Sequence, residues 1–158
     1  MATPRYWLIK SEPSVYPYAQ LEADGHTDWT GVRSFEARNN LRAMKVGDLC
    51  LYYHSNADPS GVAGVARVSQ EAYADPAQFD RKSDYYDAGA KRDDPRWLMV
   101  EVEHVETLPR VVSLEELKKE PSLATMLVVQ KGQRLSVQPV EKAHFAKVLS
   151  MGGAKTRL

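Results

Sequence analysis

Residues 28–55 read DWTGVRSFEARNNLRAMKVGDLCLYYHS. The stretch holds a polar loop around Trp29, a short basic helix, a turn at Val46-Gly47-Asp48 and a strand ending in Tyr52-Tyr53-His54-Ser55. Ser34 is placed to cap a helix over 35–44, with Phe35, Leu41 and Met44 on its inner edge. Arg38 and Arg42, four residues apart, share another face. Asp48–His54 alternates apolar and polar-tipped residues, the period of a strand. NADPSG at 56–61 is dense in turn formers, and VAGVARVSQ at 62–70 returns as the partner strand of a hairpin. An exposed-type indole, guanidinium donors and short polar tips thus sit close in sequence. That is equipment for holding a flat, polar ligand such as a nucleobase.

Working outward, Tyr6–Lys10 suits a first buried strand, and Pro13 ends it. Ser14 is placed to cap a helix through Tyr18–Glu22 that Gly25 closes. Gly61 and Gly64 leave room for a ligand or another backbone. From 71 to 96 periodicity disappears, which predicts a long loop with a helical turn near Pro76–Phe79. Trp97–Leu108 is a strand with Leu98, Val100, Val102 and His104 on one side. Ser113–Glu120 is a helix with a capping box, Ser113 answered by Glu116. Met126–Gln130 and Arg134–Val140 are short strands. Glu141–Ser150 is a helix with Ala143, Ala146, Val148 and Leu149 inward and Gly152 past its end. No repeat or linker divides the chain, so one domain over 1–158 is expected. Short strands mixed with helices favour an α+β fold on a small, bent or barrel-like sheet over a doubly wound parallel one.

The 158 residues carry zero formal net charge. Sequence-blind coating of duplex DNA needs a clear positive excess, so that class is disfavoured. From 131 to 158, six Lys or Arg face Glu141 alone. This basic third either borders a phosphate groove or is a solvated helix face and tail. Cys50 and His54 share one side of a strand about 13 Å apart, too far for a thiolate–imidazole pair. Cys50 is therefore read as core. No apolar run approaches a membrane helix, and no leader-type apolar region opens the chain. A cytoplasmic, monomeric protein without membrane contact is expected. There is no G-x-G-x-x-G, Walker loop or nucleophile elbow, and His26, His54, His104 and His144 lack metal spacing. No cofactor or metal is expected, and enzyme signals are weak.

Several residues carry two readings. Trp29 either covers the core edge or offers a stacking face. Trp97 is either a core or rim residue or part of a pocket. Lys10 and Ser11 form a turn at a strand mouth or meet a ligand there. Arg33 pairs with a local acid or offers its fork to a phosphate or base edge. Arg38, with Gln133 and Arg134 at a turn in the basic third, are candidates for a phosphate groove. Tyr85-Tyr86-Asp87 is a lid or a loop fastener. His54, between Tyr53 and Ser55, is the one histidine weighed as a ligand or general base, with Glu12 as orienting acid. A base-binding module is the leading reading. A nucleotide-directed enzyme and a small-metabolite sensor are the rivals.

An ordered set of phrases then emerges: Tyr6-Trp7-Leu8 with Lys10-Ser11-Glu12-Pro13, Trp29-Thr30-Gly31-Val32-Arg33, Ala37-Arg38-Asn39, Met44-Lys45-Val46-Gly47-Asp48, Tyr53-His54-Ser55, Gly61-Val62-Ala63-Gly64, Gln78-Phe79-Asp80, Tyr85-Tyr86-Asp87, Pro95-Arg96-Trp97 and Arg134-Leu135-Ser136-Val137-Gln138-Pro139. Over 5–150 the chain resembles the EVE domain family. The resemblance implies a PUA-like bent β-barrel of mixed strands flanked by helices, akin to YTH and ASCH domains. It implies nucleic-acid binding through a pocket for a flipped or modified base, such as modified cytosine in DNA. Carried over by position, that pocket is lined by Lys10, Ser11, Trp29, Arg33, Tyr53, His54, Ser55 and Trp97. The family commonly has Asn after Gly-Val-Arg; this chain has Ser34. With few residues before Tyr6, it looks like the compact bacterial type.

Overall fold

The apolar run YWLIK forms most of β1 (Tyr6–Ser11) in the computed structural model, which describes residues 3–158. Helix α1 (Tyr18–Asp24), a short β2 (His26–Asp28) and α2 (Phe35–Ala43) carry the chain to β3 (Leu49–His54). β3 lies parallel to β1, which needs a crossover of this length. β3 turns into β4 (Gly61–Ala74), and β5 (Leu98–Ser113) returns along β4. Helix α3 (Leu114–Lys119), two single 3-10 turns, β6 (Val137–Val140) and α4 (Lys142–Gly152) complete the chain. The sheet is mixed, six-stranded and open, in the order β2-β5-β4-β3-β1-β6. The α+β class is as expected, but the barrel is not closed: β2 and β6 are separate edges. Register shifts along β4 and β5 bend the two longest strands.

Two cores lie on opposite faces of this sheet. On one, α1 and α2 cover Trp7, Ile9, Cys50, Tyr52, Ala66 and Val100. On the other, α3 and α4 cover Leu8, Leu51, Tyr53, Val65 and Val112. This explains a misreading of β3. Its four central residues are all buried rather than alternating, because helices cover both faces. Buried Asp48 ties the start of β3 to β1. It accepts from Trp7 Nε1 at 3.0 Å and from the backbone N–H groups of Arg5 and Lys45, each at 3.0 Å. Cys50 is buried, and burial raises its thiol pKa, as a core role requires.

Other boundaries differ for local reasons. α1 begins after Pro17, not Ser14, and Gly25 closes it at φ 84°. Ser34 caps α2 as expected, accepting from Ala37 N. Phe35 is 56% exposed, however, so Ala37 and Leu41 form the inner edge with Met44 just beyond. Gly64 makes room for the Tyr18 ring and Gly61 for the backbone of Val112, not for a ligand. β5 passes Leu108 and runs through Pro109 to Ser113. Ser113 accepts from Glu116 N at 3.1 Å, but the box is only half made, since Glu116 turns to Arg110. Leu127–Val129 is a 3-10 turn rather than a strand. In α4 the inward residues are His144, Phe145, Val148 and Leu149. Ala143 and Ala146 face out, and Gly153 rather than Gly152 closes the helix in the left-handed region. No helix among the described residues is long and apolar enough to cross a membrane.

Candidate functional site

Parallel strands end their backbone ladders at a common mouth, and β1 and β3 do so side by side. Ser11 is in register with His54, and Ser55 N donates to Ser11 O at 3.0 Å. Beyond this mouth lies a hollow of about 1010 Å³. Lys10, Ser11 and Ser55 form its floor, Trp29 to Ser34 one side, Tyr85 another, and Gln133, Arg134 and Ser136 the far wall. The crevice outside the carboxyl ends of parallel strands is where open α/β sheets commonly bind ligands.

Trp29 leaves the end of β2 with its N–H donating to Val100 O at 2.8 Å. Its ring meets Tyr52 edge-to-face, with centroids 5.4 Å apart. At 8% exposure it is a core residue with one margin open to the hollow, not the exposed loop indole expected. The segment after β1 is held over the mouth by hydroxyls: Tyr52 and Ser11 both donate to Tyr16 O, at 2.6 and 3.1 Å. Burial holds the Lys10 ammonium below its usual pKa; its Nζ lies 5.8 Å from the Tyr53 ring centroid. Arg134 is exposed and has no ion pair among the described residues, whereas Glu12 and Asp28 put negative charge on the rim.

Arg33 borders the hollow, but its guanidinium is engaged. Nη1 donates to Val32 O and to Asp75 Oδ2, the latter at 3.0 Å, while Nε and Nη2 both reach Tyr85 O. Four of five N–H donors are therefore used inside the protein. The expectation that Arg33 holds a phosphate gives way to a fastening role: it ties Tyr85 to the loop after β2.

Asp75 organises this wall, and sequence reasoning missed it. Its buried carboxylate accepts from Thr30 Oγ1 and Gly31 N at 2.8 Å, from Ala77 N at 2.9 Å and from Arg33. Burial is the largest single influence and would raise its pKa. The donors Gly31, Thr30, Ala77 and Arg33 together outweigh it and hold the carboxyl below the usual range. The available signal was the Asp75-Pro76 pair, a helix-start pattern.

The other expected residues lie elsewhere. His54 points away from the hollow: its Nε2 accepts the Tyr18 backbone N–H at 3.0 Å, near the first turn of α1, and burial lowers its pKa. Tyr53 belongs to the core on the opposite face of the sheet. Trp97 is buried, stacked on Phe35 at 5.0 Å, with Nε1 donating to Asp87 Oδ2 at 2.7 Å. Arg38 donates to Arg96 O beside a separate cleft. The basic third divides too. Gln133 and Arg134 reach the hollow, whereas Lys147 pairs with Glu120 on the α4 side.

The EVE domain model matches residues 5–151. Human thymocyte nuclear protein 1 is 38% identical over 164 residues, covering 92% of this chain and 73% of that protein. A crystal structure of a protein from Pseudomonas putida superposes with a TM-score of 0.90 at 45% identity, covering 92% of this chain and 98% of the other. A crystal structure of human THYN1 protein in complex with 5-methylcytosine containing DNA superposes with a TM-score of 0.88 at 37% identity, covering 96% and 99%.

Proposed function

The chain belongs to the EVE domain family, and from that premise we propose that it is a nucleic-acid-binding module that reads a modified base in the hollow bordered by Trp29. The observation that carries this reading is the lining itself: an indole margin beside the serines Ser11, Ser34 and Ser55, with Arg134 as the exposed cation. Small-ligand sites span about 300–1,000 Å³. A hollow of about 1010 Å³ therefore takes a base together with its sugar and phosphate. Base edges meet hydroxyls and backbone groups, while phosphates meet cations. The 5-methylcytosine DNA carried by the human relative makes a modified cytosine the first ligand to test.

The module binds rather than converts its ligand. His54 is the expected general base, but its Nε2 lone pair is committed to Tyr18 N–H. Glu12, its expected orienting acid, accepts from Asn56 Nδ2 at 2.6 Å.

The test is equilibrium binding of oligonucleotides, DNA and RNA, that differ in one cytosine: plain, 5-methyl or 5-hydroxymethyl. Burying one methyl contributes about 0.8 kcal/mol, about a fourfold preference. Equal affinity for all members, with strong salt sensitivity, would reduce the function to backbone binding.

A further inference from the structure

A second hollow, of about 350 Å³, opens between α2 and the loop that precedes β5. Arg38, Arg42, Lys91 and Arg96 line it against a single acid, Asp94. Arg96 is paired with Asp87, and Arg38 donates to Arg96 O and to Asn39. Arg42 and Lys91 are exposed and make no ion pair or side-chain hydrogen bond among the described residues. The Arg38 guanidinium is held below its ordinary value by burial first, then by the charges of Arg42 and Arg96. Like charges crowded around a concave surface repel one another, and an incoming anion relieves that repulsion. Phe35 gives the same cleft an apolar wall; it is more than half exposed and held from behind by Trp97.

The place of this cleft selects the anion. Ser34 and Tyr85 border the first hollow; Phe35 and Gly89 border the second. The cap of α2 and its first residue, with one short stretch of loop, therefore lie between the two. Resting on the base-reading function above, we infer that the cleft is a phosphodiester site: Arg42 and Lys91 hold a backbone phosphate of the strand whose base occupies the Trp29 hollow, with Phe35 against the neighbouring sugar. Backbone contacts of this kind set register and affinity without sequence information.

The experiment uses the full chain and the double variant Arg42→Gln/Lys91→Gln, both exposed positions, with thermal melting to confirm an unchanged fold. Binding of a 5-methylcytosine oligonucleotide and its unmodified counterpart is measured across salt concentrations. The double variant should lose about tenfold for both ligands at low salt and keep the parent's preference between them. Its slope of log K against log salt should shrink by about 0.7 for each single-strand phosphate that is no longer neutralised. Parent-like affinity and slope in the double variant would overturn the proposal, as would a parent that binds neither oligonucleotide at low salt. Inorganic phosphate is titrated separately. Saturable phosphate binding that the double variant loses, with oligonucleotide binding untouched, would assign the cleft to a free anion and overturn the backbone role. Equal loss for both ligands in a parent without base preference would keep the backbone site and overturn the base-reading function alone.

Discussion

The ring of Tyr85 lies directly over Gly31, so close that a Cβ at position 31 would stand 2.9 Å from the ring's Cζ. Gly31 also sits at φ 85°, where side chains are disfavoured. Gly31→Ala therefore meets both backbone strain and a clash, and should cost about 1–3 kcal/mol. It also displaces one wall of the hollow. Urea unfolding checks the first effect, and weaker binding of a modified oligonucleotide checks the second. A variant as stable and as tight-binding as the parent would show that Tyr85 moves aside freely.

Trp29 is part of the core, so Trp29→Ala should lose about 3–5 kcal/mol of stability. That variant confounds binding with folding. Trp29→Phe keeps an aromatic partner for Tyr52 and is the better probe. Only a margin of the indole reaches the hollow, so the loss should stay within the about 1–3 kcal/mol of a full base stack, reducing affinity for the modified base up to about tenfold. Calorimetric titration reads this. Parent affinity in a well-folded Trp29→Phe would remove the indole from recognition.

Below pH of about 6.5 an unfolded chain protonates His54. The folded chain resists, because burial lowers the His54 pKa. The unfolded state then binds more protons, so this contribution is present above that pH and is lost as pH falls through the window down to the folded pKa. Protonated Nε2 also cannot accept from Tyr18 N–H. Urea midpoints should fall for the parent from about pH 7 to 5.5, and His54→Gln should flatten that segment. Identical profiles would show that His54 does not couple to folding.

Asp75 accepts from Thr30, Gly31 and Ala77 and from the Arg33 guanidinium, all in a buried position. Removing one partner of a buried pair costs about 3–5 kcal/mol, the expected loss for Asp75→Ala. Its lowered pKa means that its stabilising contribution is present above its unfolded value of about 3.9 and is lost as pH falls through the folded value. Acid unfolding should therefore be less steep for Asp75→Asn. Faster proteolysis of the 80–97 loop in either variant would follow, because Arg33 would lose the anchor that positions it on Tyr85 O.

Much of the architecture is carried by local chemistry. The apolar run at Tyr6–Lys10, the Ser34 cap, the Gly47 turn and the turn-dense 56–61 segment each state their own geometry, and each stands where the sequence places it. These signals act within a few residues, so a single chain reveals them. The floor of the hollow was legible for the same reason, because Lys10 and Ser11 end β1 and Ser55 follows β3.

What only tertiary structure decided is which of the neighbouring polar residues border the hollow. His54 and Ser55 are adjacent in the chain, yet His54 turns to a backbone N–H 36 residues earlier while Ser55 borders the hollow. Arg33 is given to Asp75 and Tyr85, 42 and 52 residues away. Buried donors and acceptors must find partners wherever the fold brings them, and those partners lie at sequence separations that no local pattern encodes.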